Sequence, residues 1–218
     1  MYPPLVPRQH VSLPVPTCLE WDVAFALFLG DSHLARIVGE PLDEISRVVG
    51  LSIVNEAVGG ATSGDLLQQL GSVSGQVAAV VISVGSNDAA PWKAVPLTEF
   101  QVQLAAFIDG LSCPAVLMTP PSVDEARLEF RTADRTNAVL ATYAAVVRTV
   151  GRQRSIPILD STLVLTPLDG DWHDSDGLHI SVLGYEALAP AIGTALLAAL
   201  STAPHRGRTG KETPGCPG

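Results

Sequence analysis

Several residues of this chain would do acyl chemistry if folding brought them together. Ser32 lies in the segment Gly30-Asp31-Ser32-His33. A serine hydroxyl becomes a nucleophile when a base lies within hydrogen-bond reach and a third group orients that base. Asp176 and His179 stand in Asp176-Gly177-Leu178-His179, so a short turn can join carboxylate to imidazole. Attack on a carbonyl builds an oxyanion, which needs donors aimed at it. Ser32 at the start of a helix offers its own N–H, aided by the helix dipole. Gly60 has no side chain and lets a backbone N–H come close. Asn87 adds a side-chain NH₂. Spacing alone leaves two rivals open. His173, flanked by Asp171 and Asp174, meets the same requirement for an oriented base, and Gly59 meets the same backbone requirement as Gly60.

The elements that must position these groups are legible in the hydropathy pattern. Residues 23–29 form a continuous apolar run ending at Gly30, the pattern of a strand buried on both faces. Further strands are expected over 51–54, 77–84, 115–118 and 156–159. Leu34, Ile37 and Val38 recur at helical spacing, which predicts a helix running on from Ser32. Thr62, Ser63 and Asp65 can cap a helix that reaches about Leu70. Other helices are expected over 98–111, 133–150 and 182–200, the last after a loop over 169–180. This alternation implies βαβ units, a five-stranded parallel sheet, helices on both faces and right-handed crossovers. In such a sheet, sites form beyond the carboxyl ends of the strands. Ser32, then Gly59 and Gly60, then Asn87, and beyond the fifth strand Asp176 and His179, all fall at that edge.

Composition narrows the function classes. The 218 residues carry a formal net charge of −9 and 47% hydrophobic residues, so one ordered globular domain is expected. No Lys/Arg cluster precedes the tail, which argues against nucleic acid. Three scattered cysteines, Cys18, Cys113 and Cys216, form neither a disulfide framework nor a C-x-x-C knuckle. The acidic cluster Asp169, Asp171, Asp174 and Asp176 fails the calcium-loop pattern, so no metal is expected. No nucleotide motif appears, and no cofactor is expected. No secretory signal and no membrane-spanning run are visible, which makes a cytoplasmic location the default expectation. The Pro-rich residues 1–20 read as an extended lead-in, 21–202 as the folded domain, and 203–218 as a disordered tail.

Taken in order, Gly30-Asp31-Ser32-His33, Gly60, Gly85-Ser86-Asn87-Asp88 and Asp176-x-x-His179 resemble the signature blocks of the SGNH hydrolases, also called the GDSL lipases/esterases. Each block alone is weak. Ser32 alone reads as a helix cap, and Asn87 and Asp88 alone read as turn formers. The joint order carries the resemblance, which covers residues 23–200. It implies a flavodoxin-like three-layer α/β/α fold. It implies Ser32 as nucleophile, His179 as base and Asp176 as its orienter. It implies Ser32, Gly60 and Asn87 as oxyanion donors. It favours His179 over His173 through the Asp-x-x-His motif, and Gly60 over Gly59 because Gly60 directly precedes Ala61-Thr62-Ser63. Asp88 is expected to be structural. His33 departs from the leucine of the family name and reads as a helix N-terminal residue rather than a substrate contact.

The implied activity is that of a serine esterase cleaving a carboxylic ester or thioester of a small molecule through an acyl-enzyme. An acyltransferase using the same triad and a non-catalytic binding module on the same fold are the alternatives. Trp92 and Trp172 are candidates for the cleft wall or for ordinary packing. Loops 89–96 and 120–132 carry no motif that selects a substrate. In the second, Asp124, Glu125, Arg127, Glu129 and Arg131 read as a solvated charged loop.

Overall fold

The structure is a computed structural model and describes residues 24–128, 135–168 and 172–202. The lead-in, the tail, Cys18, Cys216, Glu129, Arg131, Asp169 and Asp171 lie outside the described residues. The strands are β1 (Phe25–Gly30), β2 (Ser52–Asn55), β3 (Val77–Ser83), β4 (Ala115–Met118) and β5 (Ile158–Leu159). They form one sheet in the order β2-β1-β3-β4-β5, with every neighbouring pair parallel. Strand order reverses between β1 and β3, and that switch point is where open α/β sheets form their ligand crevice.

Both faces of the sheet are covered, which is why the central strands are apolar at successive positions. On one face Leu27, Leu29, Val80, Ile82 and Leu117 join a core with Leu66 of α3 (Leu66–Gly71), Phe100 and Leu104 of α4 (Leu97–Asp109), and Leu140, Tyr143 and Val147 of α5 (Asn137–Gln153). On the other, Phe28, Val81, Val116 and Met118 meet Leu34 of α1 (Ser32–Ala35), Ile45 of α2 (Glu40–Val49), Leu165 of α6 (Ser161–Leu165), and Leu188, Ile192 and Leu196 of α7 (Val182–Thr202). The result is a three-layer α/β/α sandwich. By length and hydropathy α7 is sufficient to cross a membrane. Here its buried side chains pack within the second core.

Several elements differ from the sequence expectation for identifiable reasons. The helix at Ser32 is four residues long, not a long run. The chain leaves it after Ala35 and restarts as α2, with Pro41 in the first turn, where a missing N–H is tolerated. Val38 is consequently 65% exposed. Asn55, at the end of β2, donates from Nδ2 to the Leu34 carbonyl at 2.9 Å and to the Ile37 carbonyl at 3.3 Å. The Leu34 carbonyl also accepts from Ile37 N at 2.9 Å, so the side chain adds a second tie to the turn that ends the helix. The long helix expected over 133–150 begins at Asn137, where the Thr136 side chain caps it, so Arg135 precedes it. Strand β5 is two residues rather than four. Helix α6 was not anticipated; its cap is Asp160, which accepts from Leu163 N.

The switch point is held by a close approach of β1 to β3. Gly30 has φ of 127°, and a Cβ there would lie 1.8 Å from the Ser83 carbonyl oxygen. Asp31 N donates to that same oxygen at 2.9 Å. Gln69 brackets the glycine, accepting from Gly30 N at 2.7 Å and donating to Gly30 O at 2.9 Å. Gly30→Ala should therefore destabilise the fold by about 3 kcal/mol or more, or prevent soluble expression, as read by urea denaturation. A loss near the few tenths typical of a surface change would refute this account of the switch point.

Candidate active site

The carboxyl ends of β1, β2 and β3 deliver the polar segments to one place. Asp31 follows β1 directly and caps α1, its Oδ1 accepting from His33 N at 3.0 Å. That cap fixes the first turn, on which Ser32 sits. Ser32 Oγ lies 3.1 Å from His179 Nε2, a contact spanning 147 residues. His179 Nδ1 lies 2.5 Å from Asp176 Oδ2. The other carboxylate oxygen of Asp176 accepts from Leu178 N and His179 N, both at 2.9 Å. Burial pushes the Asp176 carboxyl upward, but the summed hydrogen bonds from His179 and Leu178 outweigh it and hold the group at about 2. The turn is docked on the preceding loop, with Asp124 N donating to Gly177 O at 2.8 Å.

The candidate oxyanion donors meet the same space. Ser32, Gly60, Asn87 and His179 all line one cavity of about 400 Å³. Gly60 has φ of 84°, in the left-handed region that glycine adopts freely. Its carbonyl accepts from Lys93 Nζ at 2.7 Å, which fixes the peptide plane beyond it. Gly59 lines the cavity as well. Asn87 Nδ2 donates to Ala61 O at 2.9 Å, and Asn87 Oδ1 accepts from Arg135 Nη2 at 3.4 Å. The amide orientation is thereby defined, and one N–H of its NH₂ remains for the cavity.

Asp88 faces away from the chemistry and ties the loops together. Its Oδ1 accepts from Ser63 N at 2.9 Å and Ser63 Oγ at 2.6 Å, and its Oδ2 accepts from Gly85 N at 3.0 Å. Burial pushes this carboxyl up, against the pull of those donors. Thr62 and Asp65 close a capping box at the neighbouring 3₁₀ turn, Ser63–Asp65.

His173 is occupied elsewhere. Its Nε2 lies 3.2 Å from the Ser122 carbonyl, and its ring stacks on Trp172 at 3.6 Å between centroids. Trp172 is buried in the second core, whereas Trp92 lines the cavity and is 54% exposed. His33 is buried and is not among the residues that line the cavity; burial pushes its imidazole down to about 3. A larger cavity, of about 730 Å³, lies by the amino ends of β3, β4 and β5. The half-buried Cys113 lines it, and burial pushes that thiol up, away from nucleophilic use. Among the described residues no group of His, Cys, Asp and Glu gathers as metal ligands.

A family profile described as the GDSL-like lipase/acylhydrolase family matches residues 28–187. The chain belongs to this family. Solved structures of similar fold include the lipase/acylhydrolase from Enterococcus faecalis, at 24% identity and TM-score 0.69, covering 80% of this chain and 96% of that one. The M. smegmatis aryl esterase gives 12% identity and TM-score 0.64, covering 81% and 99%. A member of the lipolytic G-D-S-L family from Veillonella parvula gives 13% and 0.64, covering 83% and 100%. A comparison with curated proteins found no match.

In this GDSL-family chain sequence patterns marked neither Arg135, which lines the cavity, nor Lys93, which contacts Gly60 from outside it. Arg135 was expected inside a helix, where nothing marks it; instead it precedes α5 and is 2% exposed. Lys93 sits in a loop with no motif, and only the Gly60 contact reveals it.

The polar floor under Ser32 makes a pH prediction. Asp31 is fully buried, and its Oδ2 has no hydrogen-bond partner among the described residues. Burial raises its carboxyl from 3.8 to about 7, against donors at His33 and Ser83. Between those values the folded state holds a proton that the unfolded state has released. The associated stability is present at low pH and is lost as pH rises through about 7. His33 contributes with the opposite sign, and it does so in wild type and variant alike. Asp31→Asn should therefore gain stability relative to wild type as pH rises from about 4 to about 7, by up to about 1.4 kcal/mol per pH unit. Urea midpoints at several pH values read this directly, and the opposite slope would refute it.

Proposed function

We propose that the chain hydrolyses a carboxylic ester or thioester of a small molecule through an acyl-enzyme on Ser32. The observation that carries this reading is the chain of contacts from Ser32 Oγ to His179 Nε2 at 3.1 Å and from His179 Nδ1 to Asp176 at 2.5 Å. In this arrangement a proton on Nδ1 is directed at the carboxylate, which leaves Nε2 as the free base facing the hydroxyl.

The steps follow from those positions. Nε2 takes the Ser32 proton as Oγ bonds to the carbonyl carbon. The carbonyl π-electrons move to oxygen, and the N–H groups of Ser32 and Gly60 with the Asn87 amide receive the charge. The tetrahedral species collapses and the leaving alcohol or thiol takes the proton from Nε2. Water then bonds to the acyl carbon as it gives one proton to Nε2, and the Oγ–carbon bond breaks as Nε2 returns that proton to Ser32 Oγ, releasing the acid. Asp176 stays ionised throughout, because its hydrogen bonds hold it at about 2.

Ser32→Ala should abolish turnover of p-nitrophenyl esters and labelling by a fluorophosphonate probe. Undiminished turnover in that variant would end the assignment. Asn87→Ala is expected to lower kcat about 100- to 1000-fold, the usual effect of removing one oxyanion donor. Asp176→Asn is expected to cost about 10³- to 10⁴-fold, because an amide at Nδ1 favours the wrong tautomer.

A further inference from the structure

The cavity over Ser32 has an electrostatic character that ester hydrolysis by itself does not require. Arg135 lines it while being 2% exposed. Among the described residues no carboxylate forms an ion pair with its guanidinium. Its contacts are one long hydrogen bond to Asn87 Oδ1 at 3.4 Å and the Trp92 ring, whose centroid is 5.2 Å from the guanidinium carbon. Its Nε is buried with no acceptor among the described residues. Asp31 attracts it from beyond ion-pairing distance. A buried cation is costly unless charge and hydrogen bonds compensate it, and arginine remains charged when buried. Arg36 lines the same cavity, held at 3.2 Å by Asp174, with both side chains nearly half exposed. Two cations therefore face the nucleophile in a chain of net charge −9.

We propose that this cavity selects esters bearing a carboxylate or phosphate near the scissile bond, with Arg135 as the partner of that anion and Arg36 adding to the field. The proposal rests on the Ser32 reading for its chemistry but not for its binding site. A guanidinium offers a planar fork of donors that matches an oxyanion group, and among the described residues the cavity-lining guanidinium of Arg135 has no carboxylate partner. Trp92 braces the guanidinium plane from one side. An entering anion supplies a counter-charge that no described residue places within ion-pairing distance of Arg135.

Two matched ester pairs locate the charge. On the acyl side, p-nitrophenyl hemisuccinate is compared with p-nitrophenyl butyrate; on the alcohol side, 4-acetoxybenzoate is compared with its methyl ester. Wild type should favour the charged member of one pair by about tenfold or more in kcat/KM, the scale of one charge-assisted hydrogen bond. The favoured pair assigns the anion to the acyl or the alcohol half. Arg135→Gln should collapse that ratio, Arg135→Lys should restore part of it, and Arg36→Gln should lower it less. A residue that only orients Asn87 would slow both members equally, so an unmoved ratio in Arg135→Gln overturns the proposal. So does a wild type with no charge preference in either pair, an outcome that stands even if the variant fails to fold by circular dichroism. If no ester is turned over, the hydrolytic reading fails separately. Calorimetric titration with succinate and with inorganic phosphate then decides the anion site. Saturable binding to wild type supports it, and absence of binding by both overturns it.

Discussion

The Ser83 carbonyl leaves no room for a side chain at residue 30. That exclusion sets the spacing of β1 and β3 at the switch point. Asp31 N bonds to the same carbonyl, so the chain must turn at once into the four-residue helix that carries Ser32. Val58 N donates to Gly30 O at 2.9 Å and draws the segment after β2 to the same spot. Ser32, the proposed nucleophile, and the Gly59-Gly60 segment are thus referred to one backbone position. A rigid strand end is a better platform for such a group than a free loop, because the supporting atoms are themselves packed.

A layer of buried polar side chains lies beneath this arrangement. Asp31, Ser83, Asp88 and Ser63 are fully or almost fully buried, and each makes hydrogen bonds that cross between loops. Such bonds tie the segments after β1, β2 and β3 more specifically than apolar packing does. The layer is incompletely satisfied, since Asp31 Oδ2, His33 Nδ1 and Arg135 Nε have no partners among the described residues. Asp31 and His33 flank Ser32 in the chain and Arg135 lines the cavity, while a fourth unpaired atom among the described residues, Tyr185 Oη, belongs to another part of the fold.

The strands and the site blocks were legible because each obeys a local rule. Val77 to Ser83 reads as an apolar run bounded by glycine, and Asp176 to His179 as a short turn joining acid to imidazole. What escaped was decided by distant contacts. The turn that ends the short helix at Ser32 is tied down by Asn55, 21 residues beyond Leu34, whose amide donates to the Leu34 carbonyl. Trp172 and Trp92 look alike in sequence, yet one belongs to the core and the other to the cavity wall. Arg135 carries no local mark of burial, because its surroundings are assembled from Asn87, 48 residues away, and from Trp92.

The acid and base of the candidate site sit three residues apart, while the nucleophile reaches the base across 147 residues. Closing the first contact costs little chain entropy, so the Asp176-His179 turn can form early. The second contact requires β1, β3 and the segment leading into α7 to be in their final places, as do the non-local pairings that slow folding. The contact between Ser32 and His179 therefore exists only in the completed topology, and an assay that needs it reports on that topology rather than on helix content.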